Sequence, residues 1–387
     1  MPRASLSFIA FYLGLFLALG LYMPFWPVFL EHRGLSGSEI GLLLALGTWA
    51  KVVGNPVIGG WADRSHRPRR VLTALAAVAL LASLLFHVVE GFWGLLAVNL
   101  IVFPAFQAMI PLGDSRVLAA GPKLGLDYGR VRLWGSFAFM VATLGLGEAL
   151  DMFSPEIVVW SLCGALALLF ATTFALPGGP TPSTPRGGGR FKALLKQRRF
   201  VLFLAVGALL QSSHAVYYGF SAIYWKAEGL APLTIGLLWA EGVIAEILLF
   251  WWGARALRGA GPTGLLLIAA AGGMVRWAVL GASADLPVLI LVQGLHAASF
   301  GAAHLGAMHF ITREAPADAQ GSAQGLYTAA TGGVGMGLIM LAAGPLYEAW
   351  GGHAFHAMMG LSALAAGLGL CLAYAPRFRP TPAESAL

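Results

Sequence analysis

Along the 387-residue chain, apolar residues gather in long blocks separated by short polar gaps. Twelve blocks run 6–30, 39–62, 71–89, 92–113, 132–148, 156–176, 200–225, 232–252, 264–281, 286–311, 321–347 and 353–374. As helices, such blocks can cross the roughly 30 Å hydrocarbon core of a bilayer. A helix also satisfies its backbone N–H and C=O groups internally, as a lipid environment demands. The pattern predicts an all-α integral membrane protein of 12 transmembrane helices, spans 1 to 12 in chain order.

The longest polar gap, PGGPTPSTPRGGGRFKALLKQRR at 177–199, separates six spans from six. Its Pro/Gly/Ser/Thr half cannot build a core, and its basic half reads as a surface helix. The organisation expected is a six-helix bundle over 1–176, a cytoplasmic linker over 177–199, a second bundle over 200–376 and a cytoplasmic tail over 377–387.

The two halves repeat. Shifting the chain by 195 residues places Tyr22 on Tyr217, Phe25 on Phe220 and Gly34-Leu35 on Gly229-Leu230. The same shift places Ile40-Gly41-Leu42-Leu43 on Ile235-Gly236-Leu237-Leu238, Ala45 on Ala240, Gly47 on Gly242 and Ala50 on Ala245. Leu and Ala coincide by chance in any apolar chain, but Tyr, Phe and three Gly in one register do not. Parallel halves around a mid-membrane site are an architecture of secondary transporters.

Composition agrees: 58% of residues are hydrophobic and 11% charged. Soluble domains carry about 25% charged residues, so a single soluble core and disorder are both excluded. The net charge of +7 reflects topology rather than nucleic-acid binding, because 20 of the 24 basic residues fall in alternate gaps. Arg33 and Lys226 lie on the opposite side, and Lys51 and Arg276 lie within spans. Both termini are therefore expected in the cytoplasm, with the chain multi-pass in the plasma (inner) membrane. The first apolar run is too long for a signal-peptide core and reads as a retained span. Cys163 and Cys371 form no CxxC, so neither a disulfide framework nor a zinc site is indicated. No metal or other cofactor is expected, and the chain is expected to act as a monomer.

Ionisable groups inside a membrane are expensive, and their presence points to function. Here they are Lys51, Glu241, Glu246 and Arg276, with His214, His296, His304 and His309. The alternative is helix-locking pairs. From the ends of spans 8 and 10, Glu241 and His296 lie at similar depth, with Arg276 nearest that level. Glu246 and His304 lie deeper. Glu241 or Glu246 is the candidate proton carrier, with Arg276 and a histidine, His296 or His304, as its switch. Lys51 occupies the repeat position of Glu246 and is the preferred partner for an anionic substrate.

The segment Gly59-Gly60-Trp61-Ala62-Asp63-Arg64-Ser65-His66-Arg67-Pro68-Arg69-Arg70 resembles the signature of the major facilitator superfamily. His66 takes the usual glycine slot, and the basic pair comes one residue late. The resemblance implies a conformational gating role for Gly59, Asp63, Arg64, Arg69 and Arg70, and for Asp127, Arg130 and Arg132 at the start of span 5. Leu126-Asp127-Tyr128-Gly129-Arg130, Gly242-Val243-Ile244-Ala245-Glu246, Val275-Arg276-Trp277 and Gln293-Gly294-Leu295-His296 together look like the phenylpropionate-transporter branch. That branch is related to proton symporters of the lactose-permease type. Those relatives carry a span-10 Glu three residues after the His; here the positions are Ser299 or Ala307.

In that superfamily spans 1, 4, 7 and 10 line the cavity. The resemblance thus makes Tyr22, Asn99, Phe103, Gln107, His214, Tyr217, Gln293 and Phe300 candidate substrate contacts, with Lys51 added by its charge. The function expected is proton-coupled symport of a small organic anion, an aromatic acid such as phenylpropionate, by alternating access. A proton symporter of a neutral sugar or nucleoside, and a non-transporting membrane sensor, are the alternatives. The glycine-rich run at 331–337 neither follows a strand nor lies outside an apolar block, so helix packing explains it better than nucleotide binding. No Gly-x-Ser-x-Gly elbow or Walker loop is present, which weighs against an enzyme.

Overall fold

A computed structural model describes residues 3–65, 67–124, 127–178, 191–253 and 257–376. Among the described residues the secondary structure is helical, with no β-strand. The predicted spans form. Among the described residues ten helices are long and apolar enough to cross a membrane, the last of them, Gln320–Tyr374, holding spans 11 and 12; span 6 is the shorter Ile157–Thr173. Of the expected linker, 179–190 lies outside the described residues, as do the tail 377–387 and His66.

Most helices run a few residues past the apolar blocks, as spans 1 (Arg3–His32), 2 (Gly37–Ser65) and 5 (Tyr128–Met152) do. Span 4 departs furthest. It continues beyond Gly91–Gln107 as Met109–Leu124, so Asp114 and Arg116 lie in a helix rather than in the expected loop. Both charges have partners from distant sequence. Tyr12 Oη donates to Asp114 Oδ1, and the Arg116 guanidinium donates to the Pro177 carbonyl. With each charge held by a partner, the helix continues past the apolar boundary.

The chain divides into two compact units. One comprises Met1–Thr184, Val216–Val243 and Met340–Gly351; the other comprises Pro185–Ala215, Ile244–Ile339 and Gly352–Leu387. The first therefore holds spans 1–6 with one end each of spans 7, 8 and 11. Its core is the aromatic face of span 1, where Phe11, Tyr12, Phe25, Trp26 and Phe29 are fully covered. Close helix approach depends on small residues: a Cβ at Gly20 would lie 2.5 Å from Phe139 O, and one at Gly14 would lie 2.9 Å from Leu169 Cα. The outward faces are apolar, with Leu81, Trp93 and Trp160 exposed, as a lipid-facing surface requires.

In the second unit Phe203 stacks on Phe310 at 4.1 Å and on Tyr327 at 5.3 Å. Arg199 fastens three helix ends. Its Nε donates to Glu314 at 3.1 Å, and its Nη1 donates to the carbonyls of Leu372 at 2.9 Å and Ala375 at 2.6 Å. Carbonyls at the end of span 12 lie at the negative end of its dipole, so a cation there is favoured.

Several spans are interrupted. Span 7 breaks at Ser213-His214, between Arg198–Ser212 and Ala215–Ala227. Span 10 turns after Leu286–Gln293 and resumes as a π-helical stretch, Ala297–Ala302. Span 11 has a π stretch at Ala329–Gly335. Such irregularities free backbone groups and redirect side chains, and they recur at functional sites.

Candidate functional site

The interruptions in spans 7 and 10 surround a buried polar cluster in the second unit. At its centre is Arg276 of span 9, with no exposed surface. Its Nη1 donates to His296 Nδ1 at 2.9 Å and to Ser299 Oγ at 3.2 Å, while Nη2 donates to Gln293 Oε1 at 2.8 Å. A guanidinium removed from water needs such acceptors, and each one lost would cost about 1–3 kcal/mol. Gln293 before the turn of span 10, His296 after it and Ser299 in the π stretch all meet Arg276.

Proton positions follow from the partners. Arginine only donates, so His296 Nδ1 is the accepting nitrogen and Nε2 carries the hydrogen. That Nε2 lies 3.9 Å from Glu246 Oε2. His214 Nδ1 faces the Leu210 carbonyl at 3.1 Å and therefore donates, leaving Nε2 to accept from Ser299 Oγ at 3.4 Å. A directed chain results: Arg276 to Ser299 to His214 on one side, and Arg276 to His296 facing Glu246 on the other. Aromatic packing fixes the rings. Phe300 stacks on His296 at 5.2 Å, and Trp277 meets His214 edge-on at 4.9 Å while its Nε1 donates to Ser213 Oγ at 3.1 Å.

The first unit holds a second group. Tyr22 Oη donates to Asn99 Oδ1 at 3.0 Å, and its ring stacks on Phe103 at 5.1 Å and on Trp26 at 5.2 Å. Because Oδ1 accepts that hydrogen bond, the Asn99 amide nitrogen is left as donor, and it has no partner among the described residues. It lies where a Cβ on Gly47 would be, 2.9 Å away, with the Phe103 ring 3.4 Å from the same point. One helical turn further along span 2, half-buried Lys51 places Nζ 5.9 Å from the Phe103 centroid. A cation, an amide donor and an aromatic face therefore share one side of span 2.

The remaining candidates divide between the two units. Glu241 lies in the first unit and Glu246 in the second. Glu246 Oε2 stands 3.9 Å from His296 Nε2, and His304 is exposed, with its ring 6.2 Å from Phe250. Tyr217, in the first unit, stacks on Trp239 at 4.7 Å. Gln107 ends the first segment of span 4.

Among the gating candidates, Asp63, Arg64, Arg69 and Arg70 are exposed, and a Cβ on Gly59 would meet nothing within 4 Å. Asp127 caps span 5 by accepting from Arg130 N at 3.1 Å, with the Arg130 side chain 3.9 Å away. Arg132 instead lies 4.1 Å over the Phe16 ring, beside Tyr12. Sequence reasoning missed the Tyr12–Asp114 contact. The available signal was the helix-forming run Val117-Leu118-Ala119-Ala120 after Asp114, which extends the span.

The chain matches the MFS_1 like family over residues 5–358. It is 36% identical over 372 residues to the probable 3-phenylpropionic acid transporter of Escherichia coli strain K12, covering 92% of this chain and 94% of that protein. It is 30% identical over 360 residues to the maltose permease of Geobacillus stearothermophilus, covering 89% and 88%. A crystal structure of the nucleoside transporter NupG superposes with a TM-score of 0.84 at 17% identity, covering 98% of this chain and 100% of that one; this shows a common fold.

Proposed function

Because the chain belongs to the MFS_1 like family of the major facilitator superfamily, we propose that it is a proton-coupled secondary transporter of a small organic anion, with aromatic carboxylates as the favoured class. The observation that carries the substrate class is the grouping of Lys51 Nζ, the Phe103 face and the unpartnered Asn99 amide donor on one side of span 2. An aromatic ring can stack on Phe103 or Tyr22 while its carboxylate takes the charge of Lys51 and the Asn99 N–H. The 36% identity to a probable 3-phenylpropionic acid transporter supports the same class. Both termini are assigned to the cytoplasm of the inner membrane from the distribution of basic residues, so the 33–36 turn faces outward.

Glu246 is the proton carrier in this reading, and Arg276 and His296 are its switch. A carboxyl group facing an imidazole N–H whose other nitrogen is held by a guanidinium can bind and release a proton as that contact opens and closes. The cycle is alternating access, with no chemical change to the substrate.

The test is to reconstitute the protein and impose voltage and pH gradient separately. A monoanion carried with one proton moves no net charge. Aromatic carboxylate should then accumulate about tenfold per pH unit and ignore the potential. A neutral sugar with one proton would gain about 2.3 kcal/mol per 100 mV as well; voltage-driven uptake of maltose or a nucleoside, without carboxylate uptake, would replace this reading. Within it, Lys51→Met should raise the KM for carboxylate about tenfold, the loss of roughly 1.4 kcal/mol. An unchanged KM would remove Lys51 from the site.

A further inference from the structure

The first unit contains two junctions, each made by a span from one half of the chain against the first turn of a span from the other half. At one, a Cβ on Gly147 of span 5 would lie 2.8 Å from Pro232 O and 2.9 Å from Leu233 Cα of span 8. At the other, a Cβ on Gly344 of span 11 would overlap Gly37 O and lie 2.9 Å from Ser38 Cα of span 2. Pro232-Leu233 is Gly37-Ser38 displaced by the 195-residue repeat. The receiving spans contribute a second matched pair: a Cβ on Gly236 would lie 2.6 Å from Thr143 O, and one on Gly41 would lie 2.9 Å from Met340 O.

Four residues after each crossing glycine stands a carboxylate. Asp151 Oδ2 accepts from Leu233 N at 3.4 Å. Glu348 Oε1 accepts from Ser38 N at 3.1 Å, and its Oε2 accepts from Ser38 Oγ. Leu233 and Ser38 are the second residues of their helices, so their N–H groups have no partner within the helix and lie at the positive end of its dipole. The two junctions preserve geometry without preserving residue identity: Asp against Glu, Leu against Ser. Common ancestry of the halves accounts for the shared backbone path. It does not account for a different carboxylate placed at the same donor twice.

We propose that Asp151 and Glu348 are a matched pair of gate latches, positioning residues that hold the outward ends of spans 5–8 and 2–11 together through the free N–H groups of the opposing helix. Both carboxylates are exposed, and Glu348 lines a cavity of about 260 Å³ with Glu31, Phe220 and Tyr347. Water can therefore solvate each carboxylate as its latch opens, which suits a contact broken in every cycle. A buried ion pair would lock the gate. The proposal rests on the transporter reading for its cycle and on the proposed orientation for its sidedness.

The test places a reporter at Leu44→Cys, one turn beyond Gly41 on span 2 and against Gly219, with Cys163 and Cys371 replaced by Ser. Labelling by a membrane-impermeant maleimide is followed from each side in sealed vesicles of known orientation. Asp151→Ala and Glu348→Ala should each raise outward labelling about two- to fivefold, the range expected for one charge at a helix terminus, and together roughly tenfold. Labelling from the opposite side should fall. Asp151→Asn and Glu348→Gln, which keep an acceptor oxygen but no charge, should restore part of the closure. These variants also keep the test valid if the Ala forms do not fold.

Unchanged labelling in the double variant overturns the proposal, as does an equal rise from both sides, which would mark general loosening. A rise confined to the opposite face keeps the latches and reverses the orientation. Loss of uptake without these labelling changes bears on the transporter reading and overturns the latches.

Discussion

Replacing Glu246 by Gln is expected to abolish pH-driven accumulation while leaving exchange of labelled substrate across the membrane intact. Gln has the size of Glu and can face His296 Nε2, 3.9 Å from the present carboxylate, but it carries no exchangeable acid proton. Without a proton the cycle can equilibrate substrate but cannot concentrate it, so the gain of about tenfold per pH unit disappears. Counterflow with equal pH on both sides isolates the exchange step. Glu241→Gln is the matched control, expected to keep accumulation, because Glu246 is the carboxylate that stands 3.9 Å from His296 Nε2. Full accumulation by Glu246→Gln would sink the assignment, and loss in Glu241→Gln alone would move the carrier about one and a half turns along span 8.

Gly344→Val is expected to reduce transport to background by excluding the closed form of the 2–11 junction. The first atom of any side chain at 344 would overlap Gly37 O and press on Ser38 Cα. These are backbone atoms and cannot rotate away as a side chain can. Overpacking against movable side chains costs about 1–3 kcal/mol, and a backbone obstruction costs at least as much, giving roughly a ten- to hundredfold loss of the closed population. Gly145→Val is the control, since a Cβ at 145 would meet nothing within 4 Å. Uptake in vesicles and maleimide labelling at Leu44→Cys read the two consequences together. Normal uptake by Gly344→Val would show that transport does not require this close packing.

Helix existence and number were legible because lipid leaves a chain few choices: an apolar block of sufficient length must satisfy its own backbone. Helix ends were less legible where a charge found its partner elsewhere. Asp114 reads as the start of a loop until Tyr12, 102 residues away, donates to it. Of the candidate site, the residue types were legible, since buried charges and histidines are scarce in such a chain. Their pairing was not. Uniform helical periodicity places His296, Phe300 and His304 on one face. The turn at Gly294-Leu295 and the π stretch Ala297–Ala302 break that periodicity, leaving His296 buried beside Arg276 and His304 exposed beside Phe250.

The repeat shows the same division. Sequence alone aligned Gly41 with Gly236, because both lie in a register of matching residues. It could not pair Asp151 with Glu348, which stand 197 residues apart rather than 195 and share neither side chain nor neighbours. Composition and period thus determined that this is a twelve-span membrane protein with duplicated halves and a few charges retained inside it, because solvent and backbone chemistry act on each segment by itself. Which of those charges meet was decided only by the tertiary structure. A hydrogen bond depends on where distant helices cross, and crossings are set by glycines, turns and π stretches whose effect appears only when another helix is packed against them.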